Sequence, residues 1–265
     1  MFGHILVEFL FRLTCGVAAA MGCTNSREVT SGFFRVHLWV LLGVQTLAAL
    51  AIYSGRPTGT SPRANLIWQG QLGLAIAAAV ACYLSAVIWM YERRIAGKLG
   101  VWLVALLAAL ALSLPVTFGR SKEVVMQIAD RATGSALLGF VTTAMLLGHW
   151  YLNTPTMKLA PLRRLIVLLA IAALGRMVVC AAGGWLEFAS HSFASASARQ
   201  SWLLFLALRW LAGLVGVLGL AGLTWQTLKI PNTQSATGIL YAAVILVFIG
   251  ELTSQLLSAE AHYPI

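Results

Sequence analysis

The sequence predicts an all-α protein that crosses a membrane about eight times. Of its 265 residues, 60% are hydrophobic and only 10% are charged, whereas about 25% of the residues of soluble domains are charged. The hydrophobic residues form continuous runs rich in Leu, Ala and Val, while the strands of membrane barrels alternate hydrophobic and polar residues over about ten positions. Continuous runs favour helices, because a helix satisfies its backbone hydrogen bonds internally. We therefore expect a polytopic transmembrane helix bundle that forms a single integral membrane domain over residues 1–265.

Each predicted span is long enough for a hydrocarbon core of about 30 Å, which requires roughly 20 helical residues. The candidate spans are 4–22, 33–53, 70–91, 99–117, 134–153, 161–183, 202–225 and 236–257. The first contains Glu8 and Arg12 and has no basic segment before it, so we expect a retained helix rather than a signal peptide. The longest connections, about 118–133 and 184–201, are too short for independent domains.

Small and polar residues indicate how some spans pack and begin. The seventh span contains Gly213, Gly216 and Gly219, and small residues let membrane helices approach closely. We expect another helix to pack there. At the start of the eighth span, Thr233 or Ser235 is expected to cap the first backbone N–H groups.

The net charge of +10 is explained by membrane topology rather than by nucleic acid. All Lys and Arg residues except Arg12, Arg176 and Arg209 lie in or beside the connections. The two densest clusters are Arg93, Arg94 and Lys98, and Lys158, Arg163 and Arg164. Alternating helices place both clusters on one side, and basic loops favour the cytoplasm, although the opposite loops are basic as well. We expect a bacterial inner membrane protein with both termini outside, with lipid and not nucleic acid as its surroundings.

Sequence motifs exclude the common soluble chemistries. The four cysteines have no C-x-x-C spacing, and the chain contains no C-x-x-C-H run, Walker loop, H-E-x-x-H or G-x-S-x-G. An ionisable side chain within a membrane helix costs several kcal/mol unless it is paired or hydrated. The ionisable residues within the spans are therefore the best candidates for function.

Two histidines are predicted to lie near the same side of the membrane. His37 lies about one turn into the second span, and His149 lies about one turn before the end of the fifth. Since a helix rises about 1.5 Å per residue, alternation brings them within roughly one turn in depth. The polar and aromatic residues predicted at this level are Arg35, Trp150, Tyr151, Asn153 and Lys158.

This level is suited to a quinone or a b-type haem. His37 and His149 would be the iron ligands if haem is bound, with arginine pairing with the propionates, whereas a histidine and a tyrosine can bind quinone carbonyls. The alternative is an interfacial belt of aromatic residues, beside basic side chains that extend to the surface.

A second group of charges is predicted in the other half of the bundle. Glu8 and Arg12 are four residues apart on one helix face, while Arg176, Arg209 and Glu251 lie about two turns from the opposite surface. One interpretation is a proton or anion route, or a quinone pocket in which Glu251 transfers protons. The other is a set of ion pairs that fixes helix register.

Eight apolar spans with buried Arg, Glu and His and no soluble domain resemble the NrfD, polysulfide-reductase and DMSO-reductase type of quinone-interacting membrane anchor. The resemblance implies electron and proton exchange with a quinone, while partner subunits carry iron–sulfur or other centres. It also directs attention to the segments GHWYLN and FIGEL. We predict a membrane subunit of an electron-transfer complex that is a non-catalytic or quinone-reactive part of an oxidoreductase. The alternatives are a structural or assembly subunit without a cofactor, and a small-solute or ion transporter.

Overall fold

The computed structural model describes residues 2–57, 61–116, 121–154, 157–190, 196–230 and 232–260, and over these ranges the chain contains helices and no strand. The helices are α1 (Phe2–Cys23), α2 (Ser31–Ser54), α3 (Pro62–Met90), α4 (Arg94–Ser113), α5 (Ser121–Asn153), α6 (Ala160–Ser190), α7 (Ala196–Trp210), a π-helical segment (Leu211–Gly216), α8 (Val217–Thr227) and α9 (Thr233–Glu260). The predicted all-α fold is confirmed.

Eight helical stretches of the described chain are long and apolar enough to cross a membrane. Seven of them lie within single helices, and the seventh in chain order, Trp202–Thr227, runs through α7, the π-helical segment and α8. The chain is thus a polytopic integral membrane protein, as its composition predicts.

Two helices begin well before the hydrophobic runs that predict them. Pro62 occupies the first turn of α3, where its missing N–H is not needed, and the Ala64 N–H donates to Ser61 Oγ at 3.5 Å. Helix α5 begins at Ser121, so the expected connection over 118–133 is wrong for the residues from Ser121 onward. This stretch has no Gly or Pro and contains good helix formers, so the helix continues where hydrophobicity falls.

The beginning of α9 differs from the sequence prediction. The side-chain oxygen Oδ1 of Asn232 accepts a hydrogen bond from the backbone N–H of Ser235 at 3.0 Å. Asn232 therefore caps the helix, and the predicted cap at Thr233 or Ser235 is wrong. Asparagine at this position satisfies a backbone donor that the helix itself leaves unpaired.

The chain forms two compact units. The first unit contains Met1–Phe118 and Thr156–Pro161, and the second contains Gly119–Pro155 and Leu162–Ile265. In the first unit, α1 packs against α2 and α4, and α3 packs against α2 and α4. In the second, α9 is central, because α5, α7, the π-helical segment and α8 all pack against it.

One aromatic contact joins three helices of the first unit. The rings of Phe34 in α2 and Trp89 in α3 stack with centroids 4.3 Å apart and planes 7° apart. On the α4 side, a Cβ at Gly97 would lie 2.6 Å from Trp89 Cε2. Only glycine at this position lets α4 approach the indole ring without displacing it.

Close glycine packing also occurs in the second unit. A Cβ added at Gly250 in α9 would lie 2.5 Å from the Cα of Gly213 in the π-helical segment. The predicted close approach is therefore present at Gly213. At Gly219 nothing lies within 4 Å of an added Cβ, so the close approach does not extend to this glycine.

The outer surfaces of the helices are strongly apolar. Leu50 of α2 is 62% exposed, Ile95 of α4 is 82% exposed and Leu211 is 68% exposed. Soluble proteins rarely leave such side chains exposed in large contiguous patches. This surface is suited to contact with membrane lipid.

Candidate functional site

Four charged side chains from four helices meet in the second unit. They are Asp130 of α5, Arg176 of α6, Arg209 of α7 and Glu251 of α9. Asp130 and Arg209 lie toward the beginning of their membrane spans, while Arg176 and Glu251 lie toward the end of theirs. Arg176, Arg209 and Glu251 are 0% exposed and Asp130 is 6% exposed. We call these four residues the charge centre.

Arg176 binds both acidic residues of the charge centre. Its Nε donates to Glu251 Oε1 at 3.0 Å and its Nη2 donates to Oε2 at 3.1 Å, which is a bidentate pair. Its Nη1 donates to the Asp130 carboxylate and to the Asp130 backbone oxygen, and lies 3.4 Å from Thr133 Oγ1. A further bond runs from Nη2 to Ser254 Oγ at 3.1 Å. Every nitrogen of this guanidinium thus has an acceptor, which joins α5, α6 and α9.

Arg209 is much less completely bonded. Its Nη2 donates to Glu251 Oε1 at 2.8 Å and to Cys180 Sγ at 3.4 Å. Within the part of the chain that the structure describes, its buried Nε and Nη1 atoms have no hydrogen-bond partner. A Cβ at Gly213 or Gly250 would lie 3.0 or 3.2 Å from Nη1. The two glycines therefore keep other side chains away from this part of the guanidinium.

The charge centre is electrically balanced when its members are ionised. Two guanidiniums face two carboxylates, and Glu251 Oε1 accepts hydrogen bonds from both Arg176 and Arg209. Burying charges costs several kcal/mol per ion, and paired, hydrogen-bonded geometry offsets that cost. Protonation of Glu251 would leave a net charge of +1, so a proton on this carboxyl group is coupled to any charge or dipole bound nearby.

Asp130 is a member of this group that the hydrophobic pattern does not predict. The pattern puts the residue in a connection, because the hydrophobic run begins only at about position 134. The signal that identifies it is the absence of Gly and Pro between Ser121 and Asp130, which lets the helix continue back to include the carboxylate.

Glu8 and Arg12 form their own pair in the first unit. Arg12 Nη2 donates to Glu8 Oε1 at 2.7 Å, and His4 Nδ1 lies 3.9 Å from Glu8 Oε2. Glu8 and Arg12 thus lie in the first unit, whereas the other three charges predicted in the same group lie in the second. Asp130 is the fourth charge of the group in the second unit.

His37 is buried in the first unit. Its Nδ1 lies 2.6 Å from the backbone oxygen of Phe33, one turn earlier on α2. If Nδ1 carries the proton of this hydrogen bond, Nε2 carries the lone pair that a metal or a donor group would use. Arg35, on the same helix, is exposed.

His149 lies in the second unit and is exposed near the end of α5. The hydroxyl of Tyr241 in α9 lies 3.4 Å from its Nδ1, a contact that the sequence analysis missed because the two residues are 92 positions apart. Tyr151 is buried, Trp150 is half-buried and Asn153 is exposed. The structure describes His37 and His149 in separate units, so their joint role as ligands stays a prediction.

Comparison of the chain with models of protein families, with curated proteins and with solved structures found no match. The resemblance to quinone-interacting membrane anchors therefore stays a prediction from the sequence.

Proposed function

We propose that this protein is a membrane subunit of an electron-transfer complex and that its second unit binds a quinone beside Glu251. The observation that supports the proposal is the fully buried Glu251 carboxylate, which is shared between two guanidiniums, one of them incompletely bonded. Reduction of a quinone takes up two electrons and two protons. The Glu251 carboxylate would take up a proton and pass it, as the carboxyl group, to the reduced quinone, and a second such cycle would supply the second proton. Partner redox subunits would exchange the electrons.

The proposal includes an orientation. The loops that contain Arg93 and Arg94, and Lys158, lie on the cytoplasmic side of a bacterial inner membrane, with both termini outside. The support for this orientation is the clustering of basic residues in these connections, because basic loops are retained in the cytoplasm during insertion.

The test of the quinone proposal uses the whole chain purified in mild detergent. Lipid extraction should recover a quinone from the wild-type protein. In the Glu251→Gln variant, proton-coupled reduction of the bound quinone by a chemical reductant should slow by about 10²-fold, the usual contribution of a positioned proton-transfer group. Glu92→Gln is the matched control, since Glu92 is exposed in the first unit. An intact preparation without quinone would contradict the proposal.

A b-type haem is the other cofactor that the sequence predicts, with His37 and His149 as its ligands. The hydrogen bond of His37 Nδ1 to a backbone oxygen is the kind of contact that orients ligating histidines. A reduced-minus-oxidised optical spectrum of the purified protein tests it directly. A b-type spectrum that is lost in both His37→Ala and His149→Ala would establish the haem, and a featureless spectrum would exclude it.

A structural role is the second candidate function. It is favoured by the equal numbers of positive and negative charges in the charge centre and by the complete bonding of Arg176. Such ion pairs fix how helices pack without any chemistry. A structural or assembly subunit would yield no chromophore and no quinone, and its substitutions would lower the yield of the assembled complex rather than its turnover.

A further inference from the structure

We infer that Arg209 binds a carbonyl oxygen of the quinone through Nη1 or Nε, the two donors for which the described part of the chain provides no acceptor. The inference rests on the proposed function and deepens it, because it identifies the residue that recognises the head group and the chemical form in which that group binds.

The first argument is the unequal bonding of two equally buried guanidiniums. Arg176 and Arg209 are both 0% exposed. All three nitrogens of Arg176 donate hydrogen bonds, whereas among the residues that the structure describes Arg209 finds acceptors only for Nη2. A buried donor without an acceptor costs about 1–3 kcal/mol, and more when it is charged. An oxygen acceptor from outside the chain removes that cost.

The second argument is the local backbone. Arg209 lies two residues before the start of the π-helical segment Leu211–Gly216, and π-helical turns occur frequently at functional sites. Gly213 and Gly250 lie beside Nη1, where any Cβ would be within 3.2 Å of that atom. The guanidinium therefore packs directly against the backbones of both glycines, with no side chain of theirs between them.

The third argument is charge. The charge centre already contains two positive and two negative groups, so a bound anion would leave a net charge of −1 in a medium of low dielectric constant. A neutral carbonyl oxygen accepts the same hydrogen bonds without adding charge. The balance therefore favours a quinone carbonyl over an anion such as formate or chloride.

The position of Glu251 agrees with this assignment. Its Oε1 atom lies 2.8 Å from Nη2 of the same guanidinium. A carbonyl bound to Nη1 or Nε would thus be held by the same guanidinium as the proton-transfer group.

The test measures binding of a short-chain benzoquinone with one isoprenoid unit to the delipidated, detergent-purified chain. Arg209→Lys keeps the positive charge but removes Nε and the fork, and we expect Kd to rise at least about tenfold. Arg164→Lys is the matched control, since Arg164 is exposed on α6, and it should bind as the wild type does.

A second measurement needs no variant. The infrared spectrum of the quinone bound to the wild-type chain, labelled with ¹³C at one carbonyl and then at the other, should show a lowered stretching frequency at one position only. Equal frequencies at both carbonyls would overturn the inference.

The remaining outcomes distinguish a failure of the Arg209 role from a failure of the proposed function. Quinone binding that is unchanged in Arg209→Lys overturns the role of Arg209 and leaves the proposed function standing. No quinone binding by the wild-type chain overturns the proposed function and the inference with it. Competition by formate or chloride that is lost in Arg209→Lys would show an anion site and overturn the neutral carbonyl.

Discussion

Arg176 joins three helices of the second unit through its bonds to Asp130 and Glu251. Replacing it with methionine leaves two buried carboxylates with one guanidinium, and breaking a buried pair in this way costs about 3–5 kcal/mol. Glu251→Met leaves the opposite imbalance. The double variant keeps one charge of each sign, Asp130 and Arg209, so we expect it to lose clearly less stability than the sum of the single variants. Unfolding free energies in mixed micelles measure all three.

The control for this cycle is Arg164→Met on the same helix. Arg164 is exposed, so its replacement should change the unfolding free energy by no more than about 0.5 kcal/mol. Strict additivity of the Arg176 and Glu251 effects would show that the two residues do not act as a pair.

A buried hydrogen bond links α1 and α2 in the first unit. Gln45 Nε2 donates to Thr14 Oγ1 at 2.7 Å, and both residues are 0% exposed. Hydrogen bonds between membrane helices contribute about 0.6 kcal/mol on average and up to about 1.7. Thr14→Val should therefore lower the unfolding free energy by about 1 kcal/mol.

Thr46→Val is the matched control for this bond. Thr46 is exposed, and its hydroxyl bonds to the Leu42 oxygen of its own helix, at 2.9 Å. Its replacement should leave stability nearly unchanged, and an equal loss in both variants would mean that the contact between helices contributes nothing.

At the scale of the element, hydrophobic runs predict that helices exist but not where polar helices begin. Eight spans follow from the requirement for about 20 apolar residues, and each is present. The predicted connection over 118–133 is wrong from Ser121 onward because the first turns of α5 are polar. For the same reason Asp130 is not predicted to lie in a helix. Pairing between Arg176 and Glu251 depends on which helices are neighbours, and a single sequence with no internal repeat contains no signal for that choice.

Helix approach at Gly97 provides a prediction at this scale. Gly97→Ala would place a Cβ 2.6 Å from the Trp89 ring and disturb its stacking on Phe34. Overpacking of this kind costs about 1–3 kcal/mol. Gly73→Ala in α3 has nothing within 4 Å, so it should be neutral or stabilise the helix by up to about 1 kcal/mol. Thermal unfolding of both variants in detergent tests whether the effect on stability depends on the space around the added Cβ or only on the change from glycine to alanine.

At the scale of the whole molecule, the sequence predicts the number of membrane spans but does not predict which helices pack together. Composition predicts a membrane protein, and alternation of the spans predicts which connections share a side of the membrane. The two compact units arise from packing between helices that resemble one another in composition. The predicted depth of each residue in the membrane groups five charges together. The structure describes the Glu8 and Arg12 pair in one unit and the charge centre in the other.

Orientation in the membrane gives the last prediction. Arg27 lies in the connection before α2, and Gly55 lies in the connection after it; both are exposed, and the span between them puts them on opposite sides. In a variant without the four native cysteines, Arg27→Cys should react with a membrane-impermeant maleimide only in inverted vesicles, and Gly55→Cys only in intact spheroplasts. Basic residues cluster on the Arg27 side, which is why that side is expected in the cytoplasm. The reverse pattern would invert the proposed orientation while keeping the alternation, and labelling of both positions from one side would contradict a membrane-spanning α2.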